Sequence, residues 1–160
     1  MASCEGSGAF GETPADRHAW VRAHADMFFS TAGPTEAALM NGLVSDAVIL
    51  GCMNVNAIRT QGWCVVGAES DWLALGAIRP VLEVDPETDL FTNLCALPEA
   101  GRECHRHEVF VASFAKVVIT SSQSGVRLIQ GTVGEEDPIF SFLRTRQEWA
   151  RCIAFHGAVA

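Results

Sequence analysis

The chain has 160 residues, 49% of them hydrophobic, and a formal net charge of −8. A chain of this length buries one good core, so we expect a single domain. Its 11 basic residues against 19 acidic ones leave no basic stripe for a run of phosphates, which argues against nucleic acid as a partner. An acidic surface favours basic protein partners through electrostatic steering, although acidity also serves solubility alone.

The cysteines and the absence of targeting signals bear on the cellular compartment. The six cysteines are scattered, and none forms a CxxC pair. The N-terminus has neither a basic start nor an apolar run of signal-peptide length, and no stretch approaches eighteen uninterrupted apolar residues. We therefore predict a cytoplasmic protein with reduced thiols, no membrane span and no cofactor.

The N-terminal part is predicted to be helical after a flexible tail. Residues 1–12 are rich in Gly and Ser, so the globular domain is predicted over 13–157. Thr13 can cap a helix and Pro14 suits its first position. Apolar residues then recur at helical spacing until Gly33 and Pro34 end the helix. A second helical piece is predicted from Thr35 to about Ser45.

Extended structure is predicted to follow Asp46. Two antiparallel strands are expected within 48–55 and 63–66, and a third over about 79–85, closed by a turn at 85–88. Residues 86–103 have the composition of a loop. The segment from Cys104 to Lys116 suits a helix or a strand, and the pattern leaves both open.

The C-terminal part is predicted as a hairpin and a helix. Residues 116–120 and 126–130 read as paired strands around a short connection that contains Gly125. Asp137 can cap a final helix with Pro138 in its first turn and Gly157 at its end. The predicted apolar stripe of this helix is Ile139, Phe142, Leu143, Trp149 and Ile153.

These elements define the predicted class as α+β, an antiparallel sheet with N-terminal, central and C-terminal helices packed on it. In order of elements, size and acidity, residues 13 to about 155 resemble the small acidic homodimeric chaperones of bacterial type III secretion. That resemblance implies a non-enzymatic homodimer that holds a secreted partner in an extended state. The chain departs from the family in its two initial helical pieces and in a longer loop before the central helix.

A second hypothesis is an immunity protein, a small acidic bacterial antidote that neutralises a cognate basic toxin. Both hypotheses predict a protein partner encoded by a neighbouring gene. The candidate acidic contacts are Glu83, Asp85, Glu87 and Asp89, which could face a basic partner across a strand end. The alternative interpretation is a solvated turn whose charges protect an edge strand from aggregation.

The tryptophans divide into two groups. Trp20 and Trp149 fall in predicted helical stripes, which favours core packing. Trp63 and Trp72 flank a short Gly-containing bend and are predicted to line an exposed groove for a peptide.

A third hypothesis is a small enzyme that uses the region of Cys104, His105 and His107, because a neighbouring imidazole can activate a thiol. Adjacent residues of one element cannot all point into one site, so no catalytic residue is assigned. A zinc site would need a distant histidine, and no standard spacing provides one. The calcium-loop pattern that starts at Asp85 fails because Leu90 stands where glycine is required.

Self-association is the last expectation. We expect the apolar surface of the predicted final helix and of the hairpin before it to exceed what one subunit buries, the alternative being one thick core that absorbs all of it. A two-fold dimer is the commonest way to cover such a surface.

Overall fold

The computed structural model describes residues 13–75, 85–101 and 104–158, and only the backbone of Pro86. The protein is α+β, with an antiparallel sheet packed by N-terminal, central and C-terminal helices. The helices are α1 (Pro14–Ala23), α2 (Glu36–Ile49), α3 (Pro86–Thr92), α4 (Glu108–Phe114) and α5 (Pro138–Arg144). The strands are β1 (Val55–Thr60), β2 (Trp63–Ala68), β3 (Val117–Ser122), β4 (Gly125–Gln130) and β5 (Arg151–His156). Two 3-10 turns occupy Ala25–Met27 and Trp72–Ala74.

Local capping chemistry sets the helix starts. The Thr13 side chain accepts from the Asp16 amide, and the Asp16 carboxylate accepts from the Thr13 amide, a reciprocal cap that confirms the start of α1. Asp137 likewise accepts from the Ile139 amide at 2.9 Å and caps α5. Each cap satisfies amides that the first helical turn leaves without a partner.

Helix α2 is longer than predicted. The expected change to extended structure at Asp46 is wrong, because the helix continues to Ile49. Leu39, Leu43 and Ala47 are fully buried at four-residue spacing, so this apolar face continues past the predicted end. Two predicted strands follow as β1 and β2, but the first begins only at Val55.

Strand β5 occupies the middle of the sheet, whose order is β1-β2-β5-β3-β4. The prediction of one long C-terminal helix is therefore wrong beyond Arg144, and Trp149 and Ile153 do not lie on a helix. Residues 151–155 are buried on both faces of the sheet, and a continuous apolar run of this kind does not reveal its period. The hairpin predicted over 116–130 is confirmed as β3 and β4.

The sheet separates two cores. On one face, Cys64, Val66 and Phe155 pack with residues of α2 and α4. On the other face, Val65 and Ala154 pack with residues of α5. The alternation along β2 and β5 follows from the two-residue period of a strand.

The central region is helical where a loop was predicted. Asp85 caps α3 through the Thr88 amide at 3.0 Å and Pro86 takes the first helical position, so the predicted turn at 85–88 is wrong, as is the first part of the predicted loop, over 86–92. Residues 93–101 are irregular, as predicted, apart from a single bridge at Ala96. The structure selects the helix of the two alternatives for 104–116, as α4. The third strand predicted over 79–85 falls, except for Asp85, outside the described residues, as does the predicted tail over 1–12. No helix in the described ranges is long and apolar enough to cross a bilayer.

Candidate functional site

A pocket of about 430 Å³ opens between α2, the 3-10 turn Ala25–Met27 and the described residues of 97–101 and 104–107. We call it the His107 pocket. The residues that give it chemical character are Met27, Asp46, Ile49, Cys104, His105 and His107. The structure thus brings together the cysteine and both histidines of the enzyme hypothesis, and it adds an aspartate from a distant helix.

Backbone pairing positions the segment that carries Cys104 and His105. The Leu97 amide donates to the Cys104 carbonyl, and the Arg106 amide donates to the Cys95 carbonyl, each at 2.8 Å. An isolated bridge joins Ala96 to His105 between these two bonds. This short ladder leaves Cys104 exposed and His105 half-buried at the pocket.

Arg106 fixes the segment that carries Cys104 and His105 to the protein interior. Its guanidinium lies 3.0 Å from the Glu108 carboxylate, and both side chains are almost fully buried. Arg106 Nη2 also donates to the Trp72 carbonyl at 3.1 Å. A buried ion pair is tolerated when further hydrogen bonds satisfy its donors, and here the carbonyls of Trp72 and Leu75 each accept one from Arg106. The pair therefore holds the start of α4 in place beside the pocket.

Asp46 binds His107 through both carboxylate oxygens. Oδ1 lies 2.8 Å from His107 Nδ1, and Oδ2 accepts the His107 backbone amide at 2.6 Å. The Asp46 side chain is buried at the base of the pocket, whereas 29% of the His107 side chain is exposed. Asp46 therefore fixes both the ring and the backbone amide of His107, the N-cap residue of α4.

Burial and the contact between Asp46 and His107 shift the pKa values of both side chains. Desolvation raises the pKa of Asp46 to about 6, although its hydrogen bonds with His107 oppose this rise. Burial by itself lowers the pKa of His107, but the hydrogen bond and charge of Asp46 outweigh it and hold that pKa above its ordinary value. No described group forms a hydrogen bond with His107 Nε2.

Sequence reasoning missed Asp46. It placed Asp46 at a boundary between helix and strand, whereas the residue lies within α2, 61 positions before its histidine partner. The available signal was a single carboxylate inside the apolar run Leu43–Leu50, since a buried acid requires a partner. Nothing in that run identifies His107 as the partner.

The mouth of the pocket exposes apolar side chains. Met27 is 64% exposed and Ile49 is 38% exposed, and Val48, the neighbour of Ile49, is 54% exposed. Exposed carboxylates stand next to the lining residues in the chain, Asp26 before Met27 and Glu99 before Ala100. The rim is therefore apolar with acidic neighbours.

The predicted acidic contacts have partners within the chain. Asp85 forms a two-pronged ion pair with Arg127, at 3.0 and 3.1 Å, which holds the pKa of Asp85 well below its usual range. Glu87 accepts from Arg151 at 3.0 Å, from Arg127 at 3.4 Å and from the Thr120 hydroxyl.

The remaining two acidic positions differ from these. Asp89 is buried, with 1% exposure, and Glu83 lies outside the described residues. The Arg151 guanidinium also binds Asp71 at 2.8 and 2.9 Å. Asp85 and Glu87 thus join α3 to arginines of the sheet, and their charge is largely neutralised there.

The predicted tryptophan groove is wrong. Trp63 is buried on the α5 face of the sheet, where its Nε1 donates to Asp137 at 3.1 Å. Trp72 is fully buried in the core on the opposite face. Two buried rings on opposite faces of a sheet cannot line one exposed groove. Trp20 is half-buried and stacks on His24, with ring centroids 4.1 Å apart.

Of the described histidines outside the pocket, His156 packs near Trp63, with ring centroids 5.3 Å apart, and the other two bind backbone carbonyls. His18 bonds to the Phe91 carbonyl and His24 to the Trp20 carbonyl, both at 2.8 Å. Within the described ranges, no three His, Cys, Asp or Glu side chains are placed to share a metal ion.

The fold and site define an α+β protein with an aspartate-bound histidine in an open, partly apolar pocket. Comparison with protein-family models, curated proteins and solved structures finds no match.

Proposed function

We propose that the protein is a protein-binding module and that its His107 pocket receives an apolar side chain from a segment of the partner. The exposed apolar rim, Met27 and Ile49, is the observation that carries this proposal. Large exposed apolar side chains beside a concave site are typical of interaction surfaces. Methionine suits such a rim because its flexible thioether adapts to different contacts.

The charge around the pocket supports a basic partner segment. Asp26 and Glu99 are exposed and directly precede the lining residues Met27 and Ala100 in the chain, which carries a net charge of −8. A lysine or arginine next to the apolar anchor would meet these carboxylates and speed the encounter at low salt. Asp85 and Glu87 are paired with arginines of the chain itself. We therefore assign the attraction of a basic partner to the carboxylates near the pocket rim instead of to the predicted acidic series.

Two forms of the proposal share this chemistry. In the chaperone-like form, a cytoplasmic homodimer holds an extended segment of a protein encoded by a neighbouring gene. In the immunity form, the segment belongs to a cognate basic toxin, and the complex blocks its activity. The identity of the bound protein separates the two forms.

The test is co-purification from the native host at low and high salt, followed by titration calorimetry with the protein that mass spectrometry identifies. Wild type is compared with the double variant Met27→Asp, Ile49→Asp. Met53→Asp is the matched control, because Met53 is 88% exposed and does not line the pocket. We expect wild type and Met53→Asp to bind one defined protein, and the double variant to bind at least about tenfold more weakly.

Two results would contradict the proposal. One is recovery of no specific protein at low salt. The other is equal affinity for wild type and the double variant, with circular dichroism confirming that the variant is folded.

The Asp46–His107 pair favours a second candidate, an enzyme that uses the same pocket for proton transfer. In this candidate, Nε2 of His107 accepts a proton from the Cys104 thiol or from a substrate, and Asp46 stabilises the imidazolium that forms. No hydrogen bond joins Cys104 to His107 in the described structure. Turnover of an activated ester or thioester by the purified chain, lost in His107→Gln and in Cys104→Ser, would replace the binding proposal.

A further inference from the structure

Among the described residues, strand β4 forms one edge of the sheet. It pairs with β3 on one side, and no described residue forms backbone hydrogen bonds with its other side. An open strand edge presents a row of amides and carbonyls that can pair with another strand. The β-bulge between β3 and β4 lies next to Val118 and Ile119, at the Gln130 end of β4, and leaves the pairing of 125–128 regular.

The same strand exposes two apolar side chains on the α5 face. Val126 is 43% exposed and Leu128 is 47% exposed. Helix α5 spans seven residues and covers the inner strands, so β4 remains outside its cover. A groove of about 360 Å³ continues from Val126 towards Trp149 and is bordered by Arg144 and Arg146.

Charge distinguishes this edge from the rest of the chain. Residues 117–131 contain no acidic residue, although the whole chain has 19. The charged residue of β4, Arg127, is already paired with Asp85 and Glu87. Arg144 and Arg146 add positive charge beside the groove, and Glu148 is the acidic neighbour of Arg146, at 3.7 Å. In a two-fold pair the same edge of each copy faces the other, so no carboxylate of residues 117–131 opposes another carboxylate across it.

We propose that two copies of this chain pair through β4, antiparallel about a two-fold axis, and extend the sheet across the interface. An antiparallel pair of identical strands is self-complementary, as a two-fold interface requires. Such pairing places Val126 and Leu128 of both copies on one face, where they cover each other. The other edge, β1, exposes Asn56, Ala57 and Arg59 and has no comparable apolar pair.

Sedimentation equilibrium of the full chain at micromolar concentration tests the proposal. We expect a mass twice the 17.2 kDa of one chain, falling to one chain in Val126→Glu and in Leu128→Glu. Met53→Glu is the control, because it adds the same charge at an exposed apolar residue far from β4 in the sequence. It should leave the mass unchanged.

Hydrogen exchange on the unmodified chain keeps the test decisive if a glutamate variant does not fold. We expect protection of the 125–128 amides to rise with protein concentration, while protection of the 55–60 amides stays constant. A mass of 17.2 kDa for wild type overturns the proposal. So does a dimer that persists in folded Leu128→Glu, or concentration-dependent protection at β1 in place of β4.

Discussion

The imidazole of His107 lies against the backbone of Gly42 in α2. A Cβ at position 42 would stand 2.6 Å from His107 Cγ and 2.9 Å from Nε2. Both distances are shorter than non-bonded contacts of a Cβ atom in proteins. Gly42 lies one turn before Asp46, so one face of α2 supplies both the space for the ring and the carboxylate that orients it. The glycine is a requirement of the pocket.

Gly42→Ala should therefore destabilise the protein. Alanine in a helix interior normally adds about 1 kcal/mol of stability over glycine. Here the added methyl group displaces the His107 ring and breaks its bond to Asp46, so we expect a net loss of about 1–3 kcal/mol. Urea unfolding measures the difference. Gly134→Ala is the control, since a Cβ there meets nothing within 4 Å, and a stability gain in Gly42→Ala would contradict the packing described.

The Asp46–His107 pair should make stability fall as the pH rises. The pKa of Asp46 rises from 3.8 to about 6 on folding, and that of His107 rises above 6.5. The folded state then holds more protons than the unfolded state, from about pH 4 to above pH 6.5. We expect a loss of about 1–3 kcal/mol across this window relative to the double variant Asp46→Asn, His107→Gln.

Unfolding free energies of both proteins at closely spaced pH values check this prediction. Asp85 gives the opposite pH dependence. Its pKa is lowered on folding, so its contribution to stability is lost as the pH falls below about 4. Measurements are therefore restricted to pH values above 4. Identical pH profiles for wild type and the double variant would show that the pair does not titrate as described.

The two arginines that bind the acidic residues of α3 should differ in their effect on stability. Arg151 is nearly buried between Asp71 and Glu87, so Arg151→Ala leaves two carboxylates without their shared counter-ion and should cost about 3 kcal/mol. Arg127 and Asp85 are about half exposed, so Arg127→Ala should cost less than about 1 kcal/mol. Thermal unfolding at low and high salt compares them. A larger loss of stability in Arg127→Ala than in Arg151→Ala would contradict the assignment of Arg151 as the arginine with the stronger, buried ion pairs.

Cys104 should be the most reactive of the described thiols. It is exposed, whereas Cys52, Cys64, Cys95 and Cys152 are buried. Burial also raises the pKa of Cys64 to about 11 and that of Cys152 to about 12, which depletes the reactive thiolate. Iodoacetamide at pH 8, followed by peptide mass spectrometry, should label Cys104 at least about tenfold faster than these four.

Two further measurements give this labelling experiment its meaning. In denaturant the five rates should converge, which shows that the native difference arises from the fold. A bound partner segment should slow the labelling of Cys104, because the thiol lines the proposed binding pocket. Unchanged labelling in a saturated complex would place the partner elsewhere.

The elements that could be predicted from the sequence are those whose signals act over a few residues. The cap at Thr13, the cap at Asp137 and the hairpin over 116–130 were predicted correctly, since capping and turn chemistry involve neighbours within about four positions. These elements were enough to assign the α+β class. The segment Cys104–His107 was also recognised as chemically dense before its surroundings were known.

Contacts between residues far apart in the chain could not be predicted from the sequence. Asp46 meets His107 across 61 positions, and Asp85 meets Arg127 across 42. The identity of β5 likewise depends on burial between two hairpins, because a run that is apolar on both faces has no visible period. Trp63 and Trp72 are buried in the cores on opposite faces of the sheet. The core that each ring joins depends on packing against distant elements, and local residue spacing does not encode that packing.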